Sequence, residues 1–364
     1  MPPQRDKAIP ELVTLAGAAR LLGVSKQAAH KLVRTGRLPA VQPDGGGGWL
    51  LRREVVTRAA GAMSVESVLP EWLLPRDGSR ELVSEHVLAG YGSVMGEDEE
   101  SARAAWLEVS GLVSRIPAAA LVLGASMSSV LLGPLDRHPF VVLVTGQPGS
   151  GKSALARSAA AVVGDPDLLV RPVGQATVAG VRRSVAGLAM LPAFREGLDG
   201  TANKFAETVF SMFAGQTMAS RSGSTTVASP WCGVLIGTAE RGLNSHSHLG
   251  VAARVVELEA PSDARADTMR LAQLMSGAHG WPLRWLNEYG PGALSAADRA
   301  DTRGRLLNGV SVVGVAERLA EHLVTAVQGA DMLDHMIGPA STLGAMARAA
   351  AHEILVAEAG RSCG

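Results

Sequence analysis

The 364 residues carry 34 Lys and Arg against 34 Asp and Glu, so the formal net charge is zero. That length accommodates two or three domains and a full α/β core, while the neutral balance excludes a polycation, so that any nucleic-acid surface must be local. Two cysteines, Cys232 and Cys363, with no CxxC pair, exclude a disulfide framework and a cysteine zinc site.

The first residues, MPPQRDKAIPEL, contain no apolar signal region, which predicts a cytoplasmic protein. From Leu12 a small module follows. Leu15, Ala18, Ala19, Leu21 and Leu22 form a helical apolar stripe, Gly23-Val24 makes a tight turn, and Ser25 caps a second helix through Thr35 whose Ala28, Ala29, Leu32 and Val33 face inward. Two short helices across a Gly-containing turn are a helix-turn-helix. Lys26, Gln27, His30, Lys31 and Arg34 are left on the outer face, where the first would reach a major groove and the last would meet phosphates. Gly36 to Val41, the Asp44–Gly48 loop and Trp49 to Val55 read as a wing followed by a short helix. The stretch resembles the winged helix-turn-helix of excisionases and MerR-type regulators, which share helix, LGVS, helix, R-x-G-x-L-P-A, wing and R-R-x-x-V. Cationic residues outnumber acidic ones between Arg5 and Arg58. DNA is therefore the expected partner, with Ser25, Lys26, Gln27, His30, Lys31, Arg34, Arg37 and Arg52 as its contacts.

Residues 61–96 mix Pro70, Pro75, Gly78, Gly90 and Gly92 with short apolar pieces and read as a linker. Glu97 to Glu100 open a helix through Ser114, where their charge opposes the helix dipole. Ile116–Leu135 is long and apolar, but it holds Gly124 and three serines, lacks aromatic or basic belts, and is read as a buried helix, not a membrane span.

The residues that carry chemistry follow at once. Phe140–Thr145 is a strand buried on both faces, Gly146-Gln147-Pro148-Gly149-Ser150-Gly151-Lys152-Ser153 is G-x-x-x-x-G-K-S, and Ala154–Val163 is a helix. In that setting the loop amides turn inward around phosphate oxygens at a helix N-terminus. Gly146 to Ala154 are then the nucleotide-binding residues, Lys152 reaches the β/γ-phosphates and Ser153 holds Mg²⁺. Lysine is scarce in this Arg-rich chain, so its presence here is not a composition effect.

Downstream, Leu188–Phe194 is expected to be the second core strand. A nucleotide hydrolase ends that strand with one carboxylate for Mg²⁺ and another for the attacking water. Here Arg195-Glu196-Gly197 supplies a single acid. Thr201–Ala214 reads as a helix, Trp231–Thr238 as an apolar strand with the polar tip Thr238-Ala239-Glu240, and Val251–Leu258 as a strand carrying Arg254. His246 and His248 lie in a polar loop without a third metal ligand nearby. Pro261–Leu274, Gly309–Val327 and Asp331–Ala359 read as helices, with Gly338-Pro339 breaking the last.

From Ile116 to Tyr289 the chain resembles the P-loop ATPase domain of unknown function, family nine-two-seven, a helicase-like group found in phage, plasmid and integrative-element proteins, often beside primase domains. The resemblance rests on GQPGSGKSALARSAAAVVGDP, LPAFREGLDG, FAGQTMASR, WCGVLIGTAE, VAARVVEL and SGAHGWPLRWLNEYG in that order. It implies that Lys152 and Ser153 are the phosphate and magnesium residues, Glu196 the acid, Arg221 and Arg254 phosphate-contacting arginines, and Glu240 the end of a sensor-like strand. The family reads L-D-E where this chain has Arg195-Glu196-Gly197. Either Glu196 matches the Asp and Gly197 replaces the water-polarising Glu, or Glu196 is itself the catalytic acid and Arg195 replaces the Asp.

The expectation is an α/β protein with a P-loop NTPase core, a RecA/AAA-like parallel sheet flanked by helices. Residues 1–60 form the winged helix-turn-helix, 61–96 the linker, 97–290 the ATPase domain and 291–364 a helical region. The expected function is an ATP- and Mg²⁺-dependent, helicase-like replication or maintenance ATPase of a mobile element, with Lys152, Glu196, Glu240, Arg221 and Arg254 catalytic and Ser153 and Glu196 at the metal. Ring assembly as a homo-oligomer, a hexamer among the forms, would put Arg221 or Arg254 in a neighbour's site. The alternative is a DNA-bound regulator switched by ATP with little or no hydrolysis.

Overall fold

A computed structural model describes residues 12–21, 30, 33, 40–41, 49–52, 56, 90–94, 99–133, 137–173, 185, 188–198, 231–242, 250, 253–289, 296–312 and 315–362. By internal contact the chain divides into Met1–Glu66 and Ser67–Gly364.

In the first unit, β1 (Leu12–Thr14) leads straight into α1 (Leu15–Leu21), and β2 (Ala40–Val41) and β3 (Leu50–Arg52) complete an antiparallel sheet of order β1-β3-β2. Leu12 pairs with Arg52 and Ala40 with Leu51. The β2 and β3 pair is the expected wing. The first strand escapes a reading by periodicity because three residues are too few to alternate visibly. Thr14 closes the junction by accepting the Gly17 amide at 3.2 Å, satisfying one orphan donor of α1. Leu15, Ala18, Val33, Leu51 and Val56 are buried. Val33 and His30 are both helical, Val33 inward and His30 exposed, as the stripe predicts. Ser25, Lys26, Gln27, Lys31, Arg34 and Arg37 lie outside the described residues.

The second unit is organised on a parallel sheet of order β5-β6-β7-β4-β8, made by β4 (Phe140–Thr145), β5 (Val170–Pro172), β6 (Ala193–Glu196), β7 (Val234–Thr238) and β8 (Val255–Glu259). Residues 140–144 of β4 are buried throughout, as a continuous β-branched run demands inside a parallel sheet. The helices are α2 (Glu99–Val113), α3 (Pro117–Ser129), α4 (Lys152–Val163), α5 (Pro166–Leu169), α6 (Arg265–Gly277), α7 (Trp281–Tyr289), α8 (Ala296–Leu306), α9 (Val315–Ile337) and α10 (Leu343–Ser362).

α3 is the hub, packing on α4, α9, α10 and β7. Every residue from Ala119 to Ser129 is buried, so a helix that is apolar on all sides finds protein on all sides. Its hydroxyls are satisfied locally and across the core. Ser126 Oγ donates to Ala159 O at 2.7 Å, and Ser129 Oγ donates to Met190 O at 2.6 Å while accepting the Val234 amide at 2.9 Å. Among the described residues no helix is long and apolar enough to cross a membrane.

Three expected elements differ. The apolar run Leu188–Phe194 contributes only its end to β6, which is the third strand of the sheet in chain order and lies two places from β4, with β7 between. The run ahead of it turns, with Leu191 N bonded to Leu188 O. The final helices do not break at 327–331. Instead α9 runs unbroken to Ile337, because Gly329 is a contact residue: a Cβ there would lie 2.0 Å from Gly124 O, and one on Gly124 would lie 2.2 Å from Ala326 O. α9 ends where Gly338 takes φ +114°. Finally, Gly90–Gly92, within the stretch read as linker, are buried, and Tyr91 bridges to Gly164 and donates its hydroxyl to Pro192 O at 2.5 Å.

Candidate functional site

In a parallel sheet all carboxyl ends meet at one edge, the general place for ligands in open α/β sheets. Here that edge gathers Thr145 of β4, Glu196 of β6, Thr238 of β7 and Glu259 of β8. The Gly146–Ser153 loop leaves β4 at this edge and enters α4. Gly146, Gly149 and Gly151 take φ of +141°, +80° and +99°, and the last two are left-handed conformations in which a side chain is strained. Gln147, Pro148, Gly149 and Ser153 are exposed, so the loop opens to solvent. Lys152 Nζ folds back to donate to Gly146 O at 2.6 Å and Gln147 O at 2.8 Å. Ser150 Oγ is buried with no hydrogen-bond partner among the described residues. The first amides of α4 have no carbonyl one turn back to bond. Together these donors, with Lys152 and an exposed Ser153 hydroxyl, fit a phosphate chain. Ala154 is buried in the first turn of α4 and helps seat it.

The segment after β8 covers the loop. Ala260 N donates to Thr145 O at 2.8 Å, and a short turn, Ser262–Ala264, starts α6. A Cβ on Gly146 would lie 3.6 Å from Ala260 Cβ, one on Gly149 3.5 Å from Arg265 Nη1, and one on Gly151 3.1 Å from Thr268 Cγ2. Each loop glycine thus faces a residue of this one segment.

Glu196 ends β6, half-buried. Val144 pairs with Thr238 and Gly237 with Arg195. Alternation therefore puts Glu196 and Thr238 on one face and Arg195 on the other. Two strand spacings, about 10 Å, separate β6 from the loop strand. Arg195 is buried and donates Nη1 to Phe194 O at 2.8 Å. Burial lowers its pKa, and the nearby Tyr91 opposes that; burial likewise pushes the Tyr91 hydroxyl up, against Arg195 and Arg171. Arg195 therefore points away from the face that Glu196 shares with Thr238. Gly197 follows at φ +72° and donates its amide to Thr238 Oγ1 at 3.2 Å. The place where a second acid is expected is a left-handed glycine. Glu240 is exposed just beyond β7, whose end is fastened by Ala239 N to Val144 O at 3.0 Å.

Arg254 lies at the other end of the sheet. It precedes β8, its carbonyl accepts the Val141 amide at 2.9 Å, and its Nη1 donates to Gly250 O at 2.6 Å. The length of β8, about 15 Å at strand rise, separates it from the loop of its own chain. Arg221, His246 and His248 lie outside the described residues, and Arg52 is a residue of β3. Among the described residues no cluster of three His, Cys, Asp or Glu side chains could hold a metal. A Mg²⁺ carried on phosphates needs fewer protein ligands, and Ser153 with Glu196 would be those. Sequence reasoning missed Arg265 and Thr268, whose only signal was their position directly after the last strand.

Comparison with known proteins finds a family match and similar solved structures. Residues 12–59 match a helix-turn-helix domain family. The chain is similar in fold to a solved structure described as "SCCmec type IV Cch - active helicase", with a TM-score of 0.57 and 13% identity over 99% of this chain and 70% of that one. No curated protein matches.

Proposed function

We propose that the chain is a helicase-like, DNA-binding ATPase of a mobile element, acting in replication or maintenance. The observation that carries this reading is the sheet edge, where β7 stands between the phosphate-loop strand and the strand that ends in Glu196. That spacing leaves room for a nucleotide's terminal phosphate and a water between the loop and the acid. The similarity in fold to a structure described as an active helicase supports the class, and the helix-turn-helix match supports DNA as partner.

In this reading the Gly146–Ala154 loop cradles the phosphates of ATP, and Lys152 leaves its two loop carbonyls to meet them. Ser153 and Glu196 would hold Mg²⁺, which neutralises charge developing on the transferred group. Glu196 and the Thr238–Glu240 tip orient the attacking water. Lys26, Gln27, His30, Lys31, Arg34, Arg37 and Arg52, with Ser25, contact DNA. Assembly into a ring would bring Arg254 or Arg221 of a neighbour to the phosphate.

A second reading has its own observation. Gly197 stands where a water-polarising acid is expected, which favours a DNA-bound regulator that binds ATP and turns it over slowly or not at all. One experiment separates the two: Mg²⁺-dependent ATP hydrolysis by wild type, Lys152→Ala and Glu196→Gln, alone and with duplex or single-stranded DNA. The motor predicts DNA-stimulated turnover that falls at least about a hundredfold in both variants. Nucleotide binding that needs Lys152, with no turnover in any condition, sinks the motor and leaves the switch.

A further inference from the structure

We infer that Arg265 is a phosphate-contacting residue of the nucleotide site, supplied in cis by the helix that covers the loop. The inference rests on the phosphate-loop reading above and adds to it a residue on a different element. Three observations carry it. Ala260, Arg265 and Thr268 face Gly146, Gly149 and Gly151 in turn, so the segment tracks the loop along its length. Within that segment Arg265 alone is cationic, and its Nη1 lies 3.5 Å from the Cβ position of Gly149, over the exposed part of the loop. Arg265 has no hydrogen bond or ion pair among the described residues, whereas its neighbours on α6 are tied down, Asp267 to Arg115 and Arg270 to Glu108.

The surrounding contacts set where the base of this side chain sits. Thr268 is fully buried against Gly151, and its hydroxyl donates to Ala264 O at 2.9 Å. The first turn of α6 is therefore seated on the loop through Thr268, and surface ion pairs join Asp267 to Arg115, just beyond α2, and Arg270 to Glu108 of α2. The exposed side chain of Arg265 reaches over Gly149, with Nη1 3.5 Å and Cζ 3.8 Å from a Cβ placed there. A planar guanidinium with five donors suits phosphate oxygens there, and it is more weakly hydrated than the ammonium of Lys152. Lys152 meets the phosphates from within the loop and Arg265 from outside it, so the two cations clamp the chain between them.

The test measures binding of fluorescent ATP and ADP analogues, with thermal melting of the same samples with and without nucleotide. The variants are Arg265→Ala, Arg265→Lys, Lys152→Ala and, as a control for charge on the same helix, Arg270→Ala. Arg265→Ala is expected to bind about tenfold more weakly, to melt without nucleotide at the wild-type temperature, and to lose part of the nucleotide-induced rise. Arg265→Lys should recover part of the affinity and Arg270→Ala should bind as wild type. Equal affinity in wild type and Arg265→Ala, with binding lost in Lys152→Ala, overturns the inference and leaves the loop reading standing. A fall in the melting temperature of nucleotide-free Arg265→Ala that accounts for its weaker binding assigns the residue a structural role and also overturns it. No binding by wild type removes the loop reading and the inference together.

Discussion

His322 is buried on α9, stacked on Phe140 at 5.0 Å between ring centroids, with Nε2 donating to Ala253 O at 3.2 Å. It borders a cavity of about 330 Å³ that His138, Arg254, Arg318 and Glu321 also line. Burial pulls its pKa down from 6.5 to about 4; the bond to Ala253 and the Glu321 charge oppose this, and the His138 and Arg254 charges add to it. The folded protein therefore binds fewer protons than the unfolded chain between those two values, and stability rises with pH across that interval. The contribution is complete above about pH 6.5 and is lost as the pH falls toward 4. Thermal melting from pH 7.5 to 4.5 should show a steeper acid loss in wild type than in His322→Gln, which keeps a donor for Ala253 O and cannot titrate. Parallel curves for the two proteins would remove His322 from the acid response.

At the scale of the element, the crossing of α3 and α9 depends on two glycines where backbones touch. Substituting Gly124 by Ala sets a methyl 2.2 Å from Ala326 O, and no side chain is there to swing away. The helices must separate, at about 1–3 kcal/mol, and the melting temperature should fall by several degrees. Gly304 of α8 has nothing within 4 Å of an added Cβ, so Gly304→Ala should be neutral or stabilising by up to about 1 kcal/mol. Equal effects would mean that the α3 and α9 contact is not close-packed. The same two helices mark the limit of the sequence. Phe140–Thr145, the loop and α4 were legible because a buried β-branched run, glycines at fixed offsets and a helix opening with Lys each leave a local signature. Gly124 and Gly329 look locally like helix breakers, and only the partner backbone across the crossing explains them. Arg265 was illegible for a related reason: its place over Gly149 is set by the return of β8 beside β4, which no local pattern records. For Arg195-Glu196-Gly197 the strand register sets Glu196 beside Thr238 and Arg195 on the other face, and both matches of the acid to the family's pair still stand.

For the molecule as a whole, the proposed function requires that one chain bind nucleotide in Ser67–Gly364 and DNA through Met1–Glu66. The formal charge of zero makes the DNA contribution separable, because attraction to phosphate must come from the few basic residues of the helix-turn-helix and not from the surface at large. Each Lys or Arg that neutralises a DNA phosphate releases counterions and adds about 0.9 to the slope of log affinity against log salt. Replacing Lys31 and Arg34 together by Ala should therefore weaken duplex binding and lower that slope by about 2. ATP affinity without DNA should stay at the wild-type value. DNA-stimulated ATP turnover should need more DNA to reach half its maximum in the double variant, since the defect lies in occupancy and not in the nucleotide site. Titrating duplex DNA at several salt concentrations, with ATP turnover followed in the same samples, reads both quantities. An unchanged salt slope would place the DNA contact elsewhere on the chain, and an unchanged half-maximal DNA concentration would show that stimulation does not pass through the helix-turn-helix.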